Sequence, residues 1–318
     1  MDNRLEIITR NAEEVVTEEE LLGLLSSKKE PVCYCGYETS GDVHLGHLVT
    51  LSKLKDMEKA GFKVKVLFAD WHTWLNRKGN WEWIHEQTST WEETFKAFGL
   101  KSSEYVLGSS FERSLDYIDD VFNLSLDTTI NRALRSMQVI ARDIEHARVS
   151  QVLYPFLQIV DIKYLGVDVA IGGIEQRKIH MLGRELSSKI EYKPFVCIHT
   201  PLISSLTGPG DKMSSSKPES MISVRDEELA IKEKINKAYC PLGVKEENPL
   251  LQITRLILFP KITGAFEIKR SEKYGGNVEF DSYDSLERAY LSKEVHPMDL
   301  KKSVIDYLVE IISEIRAI

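Results

Sequence analysis

Gly36-Tyr37-Glu38-Thr39-Ser40-Gly41-Asp42-Val43-His44-Leu45-Gly46-His47 is the stretch whose reading decides the fold. It follows an apolar and aromatic run, 32 to 37, that reads as a strand, and it opens a helix predicted from about 45 to 60. A strand, a glycine turn and a helix start put unpaired backbone N–H groups and a partial positive charge in one place, which suits phosphate. His44 and His47 are three residues apart and share a face of the first turn. Gly46 removes a side chain where a flat adenine or ribose could press on the backbone. The string is short, and by itself it reads equally as two helix-start histidines with no ligand.

Outward from this stretch, further strands are predicted at 63–70, 105–108, 167–173 and 195–200, with a helix at 80–98. Strands that alternate with helices imply an α/β protein whose doubly wound parallel sheet is covered on both faces. Between about 112 and 150 the pattern turns helical and charged without a strand, which reads as an insertion between two halves of the sheet. After Lys217-Pro218 the chain is mostly helical, with helices predicted at 225–239, 249–259, 284–292 and 299–316. A boundary near 220 divides an α/β domain, 1–219, from a mostly α-helical C-terminal domain, 220–318.

A second string stands in the loop 207–217. Thr207-Gly208-Pro209-Gly210-Asp211 is flexible by composition, and Lys212-Met213-Ser214-Ser215-Ser216 adds an ammonium group and three hydroxyls. Alone it is as readily an exposed serine-rich loop. Paired with His44 and His47 it describes donors on two sides of a triphosphate, whose pyrophosphate gains charge as it leaves. A third signal is Tyr154-Pro155-Phe156-Leu157-Gln158-Ile159-Val160-Asp161. Pro155 suits the first turn of a helix. Tyr154, Gln158 and Asp161 then share one face, which is either the wet side of the helix or the wall of a polar pocket. Gln176, after Gly172-Gly173, falls at the end of a parallel strand, where such sheets place ligands.

Composition narrows the class. With 42% apolar and 28% charged residues, the 318-residue chain has the balance of a soluble globular protein. It lacks an apolar run of about 18 residues, so no transmembrane helix is predicted. The start, Met-Asp-Asn-Arg-Leu-Glu, has no apolar signal core, so a cytoplasmic location is expected. Cys33 and Cys35 read as buried thiols in a reducing compartment, or less simply as half of a metal site. The net charge of −8 argues weakly against nucleic acid, yet basic residues cluster at Arg132, Arg135 and Arg142, at Arg177, Lys178 and Arg184, and at Lys232, Lys234 and Lys237.

His44-Leu45-Gly46-His47 resembles the HIGH motif of class I aminoacyl-tRNA synthetases, and Lys212-Met213-Ser214-Ser215-Ser216 resembles their KMSKS loop in the form of archaeal tyrosyl enzymes. The resemblance extends over nearly the whole chain, including Ile174 to Met181 and Val295 to Asp299. Ser215 stands where the commoner motif has Lys, so Lys212, with Lys217 nearby, is left the cationic role. The resemblance implies a Rossmann-like catalytic domain and a helical anticodon-binding domain. His44, His47, Lys212, Ser214 and Ser215 are implied to be catalytic. Gly36, Gly46, Met213 and Ser215, with the two histidines, are implied to bind ATP, which arrives with Mg²⁺ as a substrate; no prosthetic group and no protein-held metal is implied.

For tyrosine, the resemblance implies Tyr34 and Asp161 at the phenol hydroxyl, and Tyr154, Gln158 and Gln176 at the α-amino end, with His72 and Phe111 beside the ring. A phenylalanine would leave the polar pair buried and unpaired. Arg135 and Arg177 are implied to meet the tRNA acceptor end, and Tyr274, His296 and Asp299 the anticodon; Asp299 reads equally as a cap of the last helix. The insertion is implied to be the surface of a homodimer. Rival readings are a tryptophanyl-tRNA synthetase, a small-molecule nucleotidyltransferase using the HxGH string alone, and a non-catalytic RNA-binding relative. Asp161 with Tyr34 favours a phenol over an indole, and the Lys212 loop argues against the other two.

Overall fold

Apolar runs that carry core residues on both sides fold here as a parallel sheet. The computed structural model describes residues 3–137 and 148–317. Its main sheet has six strands: β1 Glu14–Val16, β2 Val32–Tyr37, β3 Lys63–Phe68, β4 Glu104–Leu107, β5 Val169–Gly173 and β6 Val196–Thr200. Their spatial order is β1-β6-β5-β2-β3-β4. Strands β2 to β6 pair in parallel, and β5 and β6 are buried at every position. The doubly wound α/β arrangement predicted from sequence is therefore present.

The order reverses at β2: β3 and β4 lie on one side of it, β5 and β6 on the other. Parallel sheets offer a crevice beyond the C-terminal ends of the strands at such a reversal. Three short segments start there. The helix Asp70–Leu75 follows β3, the turn Gly108–Ser110 follows β4, and the turn Ile174–Gln176 follows β5.

Several local readings change. Strand β1 went unread because Glu14-Val15-Val16 is too short to show a period; it pairs antiparallel with β6, Glu14 opposite His199. The strand predicted at 63–70 stops at Phe68, and Asp70 begins a helix instead. Pro155 is not in a first turn. It lies inside the helix Val149–Tyr164, where its ring leaves one carbonyl without an amide partner. Burial of Tyr154, Phe156, Leu157, Ile159 and Val160 around it offsets that loss. Helices predicted at 249–259 and 299–316 are Pro249–Ile253, continued by a π turn Thr254–Leu258, and Pro297–Arg316. In the insertion, helices Leu115–Leu126 and Ile130–Ser136 are capped by Ser114 and Thr129.

By packing, the chain falls into two units. Residues 1–40, 53–93 and 100–201 form one, which contains the whole six-stranded sheet. Residues 41–52, 94–99 and 202–318 form the other. In the second unit the long helix Pro297–Arg316 buries Leu300, Val304, Leu308, Ile311 and Ile315 at helical spacing and packs on the helix Glu228–Lys237. A small hairpin, β7 Phe266–Ile268 with β8 Val278–Phe280, was not predicted. Tyr307 pins it, stacking on Phe266 at 4.8 Å and accepting the Glu267 N–H at 3.0 Å. Among the described residues, no helix is long and apolar enough to cross a membrane.

Leu67 and Phe68 are consecutive in β3, face opposite sides of the sheet, and are each 1% exposed. Leu67→Ala and Phe68→Ala are each expected to cost about 2–5 kcal/mol in urea unfolding. A loss below about 1 kcal/mol for either would show that one face of the sheet lacks cover.

Candidate functional site

The HLGH string is organised by its own backbone. Nδ1 of His47 accepts the His44 N–H at 3.1 Å, and Nδ1 of His44 accepts the Gly46 N–H at 3.1 Å. A neutral imidazole that spends Nδ1 as an acceptor carries its proton on Nε2, so both tautomers are assigned by these bonds. The rings lie 3.9 Å apart, tilted by 33°. Burial, aided by the Lys212 charge, holds His44 down to about 4. Burial and then His44 depress His47 as well. Both rings are therefore neutral N–H donors at pH 7. Gly46 is needed for this arrangement, because a Cβ there would stand 2.8 Å from Cε1 of His44.

The KMSSS loop belongs to the same unit, and the chain just beyond it clamps the HLGH turn. Leu45 N–H donates to the Ile222 carbonyl at 3.0 Å, and Val224 N–H to the Val43 carbonyl at 3.0 Å. Ser223 Oγ donates to Asp42 at 3.1 Å. Met213 is buried and its N–H binds the Ile203 carbonyl, so it anchors the loop. Ser214 and Ser216 hydroxyls lie 3.0 Å apart. A Cβ on Gly41 would come 3.9 Å from Ser215. Lys217 is paired with Asp211 at 2.7 Å, whereas among the described residues Lys212 makes no ion pair. That leaves Lys212 as the cation available to an anion.

The stripe on Val149–Tyr164 faces inward. Tyr154 and Asp161 are buried, which favours a polar pocket over a wet face. Gln158 donates to Gln176 at 3.2 Å, bringing two predicted residues together. Asp161 Oδ1 accepts from the Tyr117 hydroxyl at 2.8 Å. His72 Nε2 lies 3.2 Å from Asp161 Oδ2 and 3.4 Å from Glu112 Oε1, with an aligned hydrogen bond to neither. Burial disfavours a charged His72, but Glu112 and then Asp161 outweigh it and raise the imidazole to about 9. Burial, reinforced by Asp161, raises Glu112 and Tyr34. Tyr34 is 1% exposed and belongs to the core cluster that includes Leu67 and Ile162. Phe111 packs edge-on to Tyr117 at 5.8 Å.

The sequence profile described as tRNA synthetases class I (W and Y) matches residues 26–313. The chain belongs to that family. It is 48% identical to the tyrosine–tRNA ligase of Methanopyrus kandleri, over 99% of this chain and 97% of that one. A crystal structure of tyrosyl-tRNA synthetase with L-tyrosine from Archaeoglobus fulgidus superposes with a TM-score of 0.96 at 47% identity, covering 99% of this chain and 98% of that one. Tyrosyl-tRNA synthetase from Aeropyrum pernix gives 0.90 at 39% identity, covering 99% and 94%.

Arg135, Arg177, Tyr274, His296 and Gly36 are exposed. Arg135 is exposed on Ile130–Ser136, and Arg142 lies outside the described residues. Arg177 begins the helix Arg177–Leu186 and pairs with Glu14 at 2.5 Å. Tyr274 is 64% exposed. His296, not Asp299, caps the last helix: its Nδ1 accepts the Met298 N–H at 3.2 Å, and Asp299 sits in the first turn. Gly36 is exposed within β2. Cys33 and Cys35 are buried and in no disulfide, and burial pushes Cys33 up.

Sequence reading missed Glu112, Tyr117 and Glu38. Glu38 accepts from Asn76 at 2.5 Å and raises the Tyr154 hydroxyl after burial does. Glu112 carried a usable signal, being a carboxylate just past the end of a parallel strand. Tyr117 carried none, because its hydroxyl reaches Asp161 only through the packing of two helices.

The folded His44 value lies below its ordinary value of 6.5, so the unfolded chain binds the extra proton first. The stability this ring contributes is fully present above about 6.5 and is lost as pH falls toward 4. Long-range ¹H–¹⁵N spectra should show the Nε2-protonated tautomer of His44 persisting at pH 5.5. A ring already doubly protonated at that pH would refute the assignment.

Proposed function

We infer that the chain is a tyrosine–tRNA ligase, activating L-tyrosine with ATP and transferring the tyrosyl group to the 3′ end of its tRNA. The choice of tyrosine is carried by Asp161 Oδ2, a buried carboxylate oxygen that lacks a donor while Oδ1 is already bonded to Tyr117. A phenol hydroxyl supplies that donor; the edge of phenylalanine cannot. Tyr34 stands as the second phenol partner, with Tyr154, Gln158 and Gln176 at the amino end. Tyrosyl enzymes are the known example of such discrimination, which reaches about 10⁵ against phenylalanine.

The substrate's own carboxylate attacks the α-phosphorus and releases pyrophosphate, so no protein nucleophile is required. The protein's part is to hold the reactants and to neutralise charge that grows on the leaving group. His44 and His47 supply neutral Nε2–H donors, Lys212 a cation, and Ser214 and Ser215 hydroxyls. Gly36, Gly46 and Met213 complete the ATP contacts, and Mg²⁺ comes with the nucleotide, whose phosphates and waters ligate it. In the second step the terminal ribose hydroxyl of the tRNA attacks the acyl carbon and AMP leaves.

Residues 1–219 are assigned to catalysis and 220–318 to anticodon binding, through Tyr274, His296 and Asp299; Arg135 and Arg177 are assigned to the acceptor end. Leu115, Leu126, Ile130 and Val149 are all more than half exposed, which supports a homodimer through the insertion. Four cysteines outside any disulfide fit a cytoplasmic enzyme.

His47→Ala and Lys212→Ala are each expected to slow tyrosine-dependent ATP–pyrophosphate exchange by about 10²–10³ while leaving tyrosine binding nearly unchanged. Exchange at the wild-type rate in both would overturn the assignment. Asp299→Ala should weaken tRNA charging with adenylate formation intact; equal loss of both would mark Asp299 as structural.

A further inference from the structure

We propose that His72, Glu112 and Asp161 form a site for a divalent transition-metal ion of the zinc class, and that this ion and the phenol of tyrosine exclude each other. The three residues come from different elements, and one ligand atom of each lies within 4.8 Å of the others. The separations from His72 Nε2 are 3.2 Å to Asp161 Oδ2 and 3.4 Å to Glu112 Oε1. Tetrahedral zinc with bonds of about 2.0–2.2 Å sets its ligand atoms roughly 3.3–3.6 Å apart. The two separations from His72 are thus near the spacing of a coordination shell, and the third is within 4.8 Å.

The ligand atoms are unspent. His72 Nε2, both oxygens of Glu112 and Asp161 Oδ2 are buried and make no hydrogen bond among the described residues. Two carboxylates with a neutral imidazole balance a 2+ ion. The supporting contacts are also of the kind that hold metal ligands. Tyr117 fixes Asp161 through its other oxygen at 2.8 Å. Gly108 leaves room for the Glu112 carboxylate, since a Cβ there would stand 2.2 Å from Oε1. One nitrogen and two carboxylates are too few donors, and of the wrong mix, for calcium or magnesium. The exclusion of tyrosine rests on the reading that Asp161 Oδ2 receives the phenol; the metal site itself does not.

The test uses full-length protein stripped with a chelator and dialysed against Zn²⁺ or Co²⁺ without ATP, which would itself bind the ion. One ion per chain is expected, with Co²⁺ visible bands of a four- or five-coordinate site and no thiolate charge-transfer band. His72→Ala and Glu112→Gln, each checked for folding by circular dichroism, should weaken binding about tenfold or more. Saturating L-tyrosine should raise the apparent Kd for Zn²⁺, and Zn²⁺ should weaken tyrosine binding measured by calorimetry. Binding unchanged in both variants, a thiolate band, or no ion bound would overturn the site. If zinc binds but tyrosine does not displace it, the exclusion and the phenol role of Asp161 fail together. Normal tyrosine-dependent exchange in protein that binds no zinc would leave the catalytic reading standing and remove the metal site alone.

Discussion

Tyr117 donates to Asp161, and that bond fixes where a buried negative charge sits in the first unit. A carboxylate out of water needs donors or a counter-charge, and the surrounding residues are disposed to supply a limited number of them. One oxygen is satisfied by Tyr117, while His72 stands near the other without an aligned bond. Under the proposed function, that unmet demand is what a hydroxyl-bearing ring answers. Aromatic neighbours, among them Phe111 and Tyr154, keep water from meeting that demand cheaply.

Under the proposed function, the HLGH and KMSSS strings solve a different electrostatic problem. Anion stabilisation by histidine normally depends on pH, because the ring must be charged. Here the backbone fixes Nδ1 as an acceptor, and burial keeps the rings neutral, so their donor capacity does not rely on protonation. The permanent positive charge is left to Lys212. The division separates directional bonding, done by the histidines, from long-range attraction, done by the lysine.

Most of the sheet was legible because its strands are rich in β-branched and apolar residues and are separated by helices. Strands β2, β3, β5 and β6 were found within a few residues, and so was the helix carrying Tyr154, Gln158 and Asp161. What escaped has identifiable physical reasons. Strand β1 and the β7–β8 hairpin are three-residue pieces whose pairing comes from distant chain, and Pro155 inside a helix defies its local propensity because burial outweighs it. For the site, residues presented by one helix face or one turn could be read from spacing. Glu112 could have been read from its place just past a parallel strand, whereas Tyr117 could not, since its hydroxyl reaches Asp161 only through the packing of separate helices. The alternative reading of Asp299 as a cap fails because proline at the first helical position leaves the capping role to the residue before it, His296.

Residues 41–52 come early in the chain, yet they pack with residues beyond 201. Their backbone partners, Ile222 and Val224, lie past the point where the sheet-bearing part of the sequence ends. The order of synthesis and the order of cooperative structure therefore differ in this protein. A nascent chain released only as far as the last sheet strand would hold the HLGH residues without the strand-like partners that set their conformation. Exchange of the C-terminal part between relatives would likewise carry with it the backbone partners of the HLGH turn, and under the proposed function part of the nucleotide site.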